Sequence, residues 1–149
     1  YQRRVRDNQL KNNYIDIFKS AKKNKEGLVI LDEFYSIQQS INQFDKQTIN
    51  NIYVCLQPQP QFLNINDFVR LCFMCNVFKN PDNNILEFLL YSVDQDIDGK
   101  VSKTEISLIF TAMGFTFDEQ LINQLLTNDT YDLGQFQDIM FIIERAFNE

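Results

Sequence analysis

The sequence predicts an all-α chain of eight helices, arranged as two lobes that each hold a pair of helix–loop–helix units. Three observations lead there. Gly and Pro are scarce, at four and three of 149 residues, so little interrupts helix. Apolar residues recur at helical spacing through most of the chain. Asn80-Pro81-Asp82 then breaks that periodicity near the middle, because a proline disfavours helix at the residue before it. The expected division is residues 1–80 and 81–149.

The first helix is expected over about Asp7 to Ser20, with Leu10, Tyr14, Ile17 and Phe18 on one side. The second covers about Leu31 to Ser40, and the third about Asp45 to Leu56. Pro58 and Pro60 prevent further helix there. A fourth opens near Asn64, a suitable N-cap, and runs to Phe78. The fifth starts at Pro81 or Asp82 and carries Ile85, Leu86, Leu89, Leu90 and Val93. The sixth covers Lys103 to Met113 and stops at Gly114. The seventh begins at Thr116, with Asp118 and Glu119 in its first turn. The eighth spans Leu133 to Phe147.

Fourteen Phe and six Tyr supply the packing volume of an ordered chain. No run of about 18 apolar residues is present, so no membrane span is expected. Nor does an apolar stretch follow Tyr1-Gln2-Arg3-Arg4, so no signal peptide is expected. Cys55, Cys72 and Cys75 make an odd count, which argues against a disulfide framework. Cys72 and Cys75 fall inside an apolar run and are read as core-facing helix residues. With no His in the chain, a zinc site there lacks partners. Residues 1–81 hold eleven Lys/Arg against seven Asp/Glu, whereas residues 82–149 hold three against thirteen. The two halves should therefore steer different partners. An enzyme is not expected, for want of His, a phosphate loop or a nucleophile–base pair. The acidic total also argues against nucleic-acid binding.

Asp94-Gln95-Asp96-Ile97-Asp98-Gly99-Lys100-Val101-Ser102-Lys103-Thr104-Glu105 has the chemistry and spacing of a twelve-residue calcium loop. Calcium wants about six to eight oxygen ligands. Asp94, Asp96 and Asp98 alternate, so a curled loop can aim three carboxylates at one centre. Gly99 permits the sharp turn. Lys100 would lend its backbone carbonyl, Ser102 would act directly or through water, and Glu105 would bind through both oxygens. Ser102 and Glu105 also have capping-box spacing.

On these residues the chain resembles the calmodulin and troponin C group of the EF-hand superfamily. The resemblance covers nearly the whole chain and is specific over residues 82–113. Three further units match in outline. Leu28-Val29-Ile30-Leu31-Asp32-Glu33-Phe34 fits the ending of a first loop, but Lys22 stands where a carboxylate belongs, and Lys23 and Lys25 oppose calcium further. Leu63 to Phe68 resembles a second ending, behind a loop that lacks an acid. Tyr131 to Phe136 resembles a fourth, with a shortened loop and Gln135 in place of the bidentate Glu.

The resemblance implies paired loops, with Val29 beside Leu63 and Val101 beside Tyr131. It implies one calcium ion, with magnesium as competitor, and a calcium-free N-lobe. The expected function is a calmodulin-like regulatory or adaptor protein that grips a helical segment of a partner. The acidic second half suits a basic amphipathic helix. The basic first half, with Arg3, Arg4, Arg6, Lys22, Lys23 and Lys25, suits an acidic cytoskeletal surface. The alternative is a structural light-chain-like or axonemal subunit with little calcium dependence. The expected location is cytoplasmic, in the second case cytoskeletal or axonemal.

Overall fold

A computed structural model describes residues 2–56, 59–79, 85–94, 97–112, 114–115 and 117–148, and the side chains of these except 2–7, 112 and 146–148. Eight helices and two short strands occur among the described residues. The helices are α1 (Gln2–Ser20), α2 (Leu31–Asn42), α3 (Lys46–Tyr53), α4 (Ile65–Lys79), α5 (Ile85–Val93), α6 (Lys103–Ala112), α7 (Glu119–Leu125) and α8 (Leu133–Asn148). The strands are β1 (Lys100–Ser102) and β2 (Thr130–Asp132). The chain divides into two compact units, residues 1–83 and 84–149. The expected break at Asn80-Pro81-Asp82 lies outside the described residues.

Helix ends follow side-chain chemistry. Asn64 Oδ1 accepts from the Asp67 N–H at 2.8 Å and caps α4 as expected. Asp45 Oδ1 does the same for α3, accepting from Thr48 N–H at 2.7 Å. α3 ends at Tyr53, and residues 54–56 form a turn rather than continuing the expected helix to Leu56. α7 also differs from expectation. Asp118 is its N-cap, accepting from Leu121 N–H at 2.7 Å, so the helix opens at Glu119. An Asp held in extended geometry satisfies an orphan donor better there than inside the helix. Gly114, at φ 86°, turns the chain out of α6, and Phe115 N–H returns to Phe110 O at 2.9 Å.

In the first unit α1 packs chiefly on α4, α2 on α3, and α3 on α4. Phe18 and Phe34 both meet the Phe68 ring edge-on at 5.4 Å, and Tyr14 meets Phe73 at 5.0 Å. Cys72 and Cys75 are buried in this core on α4. Val29 and Leu63 exchange two backbone hydrogen bonds of 2.9 Å and join the two loops of the unit.

In the second unit α5 packs on α6 and α8. Its core gathers Val93, Val101, Ile106, Phe110, Tyr131 and Phe136, among others. β1 and β2 run antiparallel, with Val101 opposite Tyr131 and Lys100 opposite Asp132. Val101 and Tyr131 point inward and are buried, while their strand neighbours are exposed or half-buried. Both loop pairings join the residues expected to meet.

Candidate metal centre

The loop from Asp94 to Glu105 is positioned at both ends by helix. Asp94 N–H donates to Leu90 O at 3.0 Å and so still belongs to the last turn of α5. Ile97 N–H then turns back to Asp94 O at 3.2 Å. Ile97 lies in the left-handed region at φ 54°, and Gly99 follows at φ 78°. A β-branched residue pays a steric cost there. Its side chain is buried, which helps to hold the turn.

Each of the three described carboxylates takes a backbone N–H. Asp94 Oδ2 accepts from Gly99 at 2.9 Å, Asp98 Oδ1 from Lys100 at 2.9 Å, and Glu105 Oε1 from Ser102 at 2.9 Å. Ser102 Oγ in turn accepts from Glu105 N–H at 3.1 Å, which completes a capping box at the start of α6. The sister loop ends the same way. Asp132 Oδ1 accepts from Gln135 N–H at 2.8 Å, and Gln135 Oε1 accepts from Asp132 N–H at 3.0 Å.

Asp94 is only 2% exposed. Burial is the largest influence on its carboxyl, which is pushed up to about 7. The neighbouring Asp98 carboxyl adds to the rise, and the Gly99 and Asp98 amides act against it. Among the described residues no cation acts on the Asp94 carboxyl.

The structure brings Asp94 and Asp98 together around the Gly99 turn. It sets Glu105 on the strand amide instead, with Lys100 exposed and Ser102 half-buried. Asp96 lies outside the described residues. Among the described residues no three or more Cys, Asp or Glu side chains gather at distances that would hold a metal ion. The donor set nevertheless suits a hard cation, being all oxygen with one carboxyl buried and raised by that burial. Asp94, Asp98, Ser102, Glu105 and the Lys100 carbonyl would hold it, together with Asp96.

The first and fourth loops are tied by their own side chains. In the first, Asn24 Oδ1 accepts from Glu26 N–H at 2.9 Å and from Leu28 N–H at 3.0 Å. Asn24 N–H also donates to Leu28 O at 2.8 Å, and Gly27, at φ 78°, donates to Asn24 O at 3.1 Å. Lys23 Nζ turns away to the α1 carbonyl of Lys19 at 3.1 Å. In the fourth loop the Tyr131 hydroxyl accepts from Asn128 N–H at 2.7 Å. The charge pattern of this loop is set by its lysines and does not mark Asn24. Its signal is local, since Asn two residues before a backbone donor favours such a turn.

No family model matches the chain, and no curated protein is significantly similar to it.

Proposed function

We propose that this chain is an EF-hand-type calcium-binding regulatory or adaptor protein, with one ion held by the loop from Asp94 to Glu105. The observation that carries the reading is the buried Asp94 carboxyl, aimed at the Gly99 turn of a loop whose Val101 is paired to a sister loop. Burial of a carboxyl without a counter-charge costs free energy. A divalent cation between Asp94, Asp96, Asp98 and Glu105 would offset that cost. Magnesium would compete, but its demand for near-octahedral geometry at shorter distances suits a flexible all-protein loop less well.

The ion itself would supply only charge and directed oxygen coordination. The chain's residues do the rest. Glu105 must leave the Ser102 amide to reach the ion, and that exchange couples the loop to the first turn of α6. Movement of α6 against α5 would alter the apolar surface offered to a partner helix. The acid-rich second half favours a basic helix there.

Calorimetric titration of calcium into the metal-free chain tests the assignment. One ion per chain is expected, with heat abolished by Glu105→Gln. The substitution keeps an oxygen that can accept from Ser102 N–H, so the capping box persists while the charge is lost. An unchanged stoichiometry in that variant would sink the assignment.

A second reading is a structural light-chain-like subunit, bound to its partner whether or not calcium is present. The Asn24 clasp favours it, because the Asn24 oxygen takes two backbone N–H groups of the first loop with no ion involved. Equal partner affinity in calcium and in chelator would support this reading over the first.

A further inference from the structure

Helix α8 carries a second apolar surface that neither the core nor the calcium reading uses. Its inward face is Phe136, Ile139, Met140 and Ile143, which belong to the core of the second unit. That spacing of three and four residues accounts for one side of the helix. Phe141 and Ile142 lie on the other side and are 59% and 57% exposed. Single exposed apolar residues are ordinary on a protein surface. Two large ones side by side, on the face turned away from the core, present apolar area to water that burial against another surface would remove.

Charges frame this pair evenly. Asp138 precedes it and Arg145 follows it, and both are exposed. They stand about two helical turns apart and so share one line along the helix. The midpoint of that line falls between Phe141 and Ile142. The Arg145 guanidinium lies over the Phe141 ring, 5.8 Å from its centroid, which sets the positive charge on the outward face beside the apolar pair. Neither Asp138 nor Arg145 forms an ion pair among the described residues. Glu144 is exposed on the flank of the helix, away from this line.

The geometry points to self-association: the outward face of α8 pairs with the same face of a second copy of this chain, the two helices antiparallel about a two-fold axis between Phe141 and Ile142. Asp138 then meets the partner's Arg145, and by symmetry the contact occurs twice. Phe141 packs on the partner's Ile142 in the same way. The charge pattern decides the occupant. A foreign helix of a single charge sign would be repelled at one end of the line, by Asp138 or by Arg145. A parallel copy would set Asp138 on Asp138 and Arg145 on Arg145. An antiparallel copy is attracted at both ends. Two terms keep the pairing weak. Residues 82–149 hold thirteen acids against three bases, so two such units repel one another. One pair of helix faces also buries less than a standard interface, which puts the dissociation constant on the order of 100 μM. The surface lies outside the calcium loop, and the proposal stands without it.

Analytical ultracentrifugation of the full chain in chelator, from roughly 10 μM to 1 mM, tests this. The mass is expected to rise from one chain toward two. Asp138→Arg and Arg145→Asp, each alone, set like charges at both contacts and should weaken association roughly tenfold. An equimolar mixture of the two variants should associate again, because every Arg then faces an Asp. The double swap in one chain should self-associate like the parent. Both positions are exposed, so circular dichroism should show the same helix content in every variant. Recovery on mixing checks folding independently, since two misfolded chains would not restore the contact. The proposal is overturned by a chain that stays monomeric at roughly 1 mM, by association that neither single swap weakens, or by a mixture that associates no better than its components. In the first case, amide NMR shifts in residues 1–83 on Phe141→Ser would identify the first unit of the same chain as the occupant instead.

Discussion

At Glu105 two roles meet on one side chain. The carboxylate completes the capping box of α6 and belongs to the proposed ion site. Glu105→Ala should therefore lower the stability of the metal-free chain by about 1 kcal/mol, whereas Glu105→Gln should leave it nearly unchanged. Urea unfolding in chelator checks the pair. Asn24 has a comparable place in the first unit. Removing its oxygen leaves the Glu26 and Leu28 N–H groups without their acceptor. The Leu28 donor is partly buried, so Asn24→Ala should cost about 1–2 kcal/mol, with calcium making no difference. The alternating acids and Gly99 are legible in the sequence because their spacing is itself the chemistry. The part played by Asn24 is not, because the neighbouring lysines dominate a reading by charge. Ile97 in the left-handed region carries no sequence signal at all. Burial on the loop's inner side holds it there against its own preference.

Among the elements, α4 shows how a motif acquires meaning from its surroundings. Cys72 and Cys75 have the spacing of a redox or metal pair, yet both are buried in the first unit's core. Burial pushes the Cys75 thiol up to about 12 and the Cys72 thiol also well above its ordinary value. The thiolate is the reactive form, so a group with a raised value stays inert until pH climbs through it. A thiol reagent at about pH 8 should modify Cys55 alone in the native chain, and all three cysteines in denaturant. Two fast-reacting thiols in the native chain would contradict the packing of α4. The helix spans were largely legible, since apolar periodicity and caps such as Asn64 act locally. The ends of α3 and the start of α7 shifted because competition between a cap and one more helical turn is decided by geometry.

Over the whole chain, the two units differ in how their loops are closed. The first is bonded by Asn24 and by the Val29–Leu63 bridge, and the second by carboxylates that take backbone N–H groups. A ligand stabilises only the part that binds it. Calcium at roughly 100 times its dissociation constant should add about 2.7 kcal/mol to the unfolding of the second unit. Amide shifts on calcium addition should fall within residues 84–149 and spare Asn24, Val29 and Leu63. Comparable shifts in both units would argue for a second ion or for coupling between them.

The pairings of Val101 with Tyr131 and of Val29 with Leu63 were implied by the family resemblance and are present in the structure; the sequence by itself determined the helices and the oxygen-rich loop from Asp94. These follow from periodicity, turn residues and spacing, which act over a few residues. Tertiary structure alone decided that Asp94 is buried and that Ile97 is held in the left-handed region by burial of its side chain. Burial depends on which residues distant in sequence are brought together. Net charge and spacing are blind to that assembly. The loop from Asp94 to Glu105 was legible as chemistry, but the burial of its first carboxyl became visible only once α5 had packed on α6 and α8.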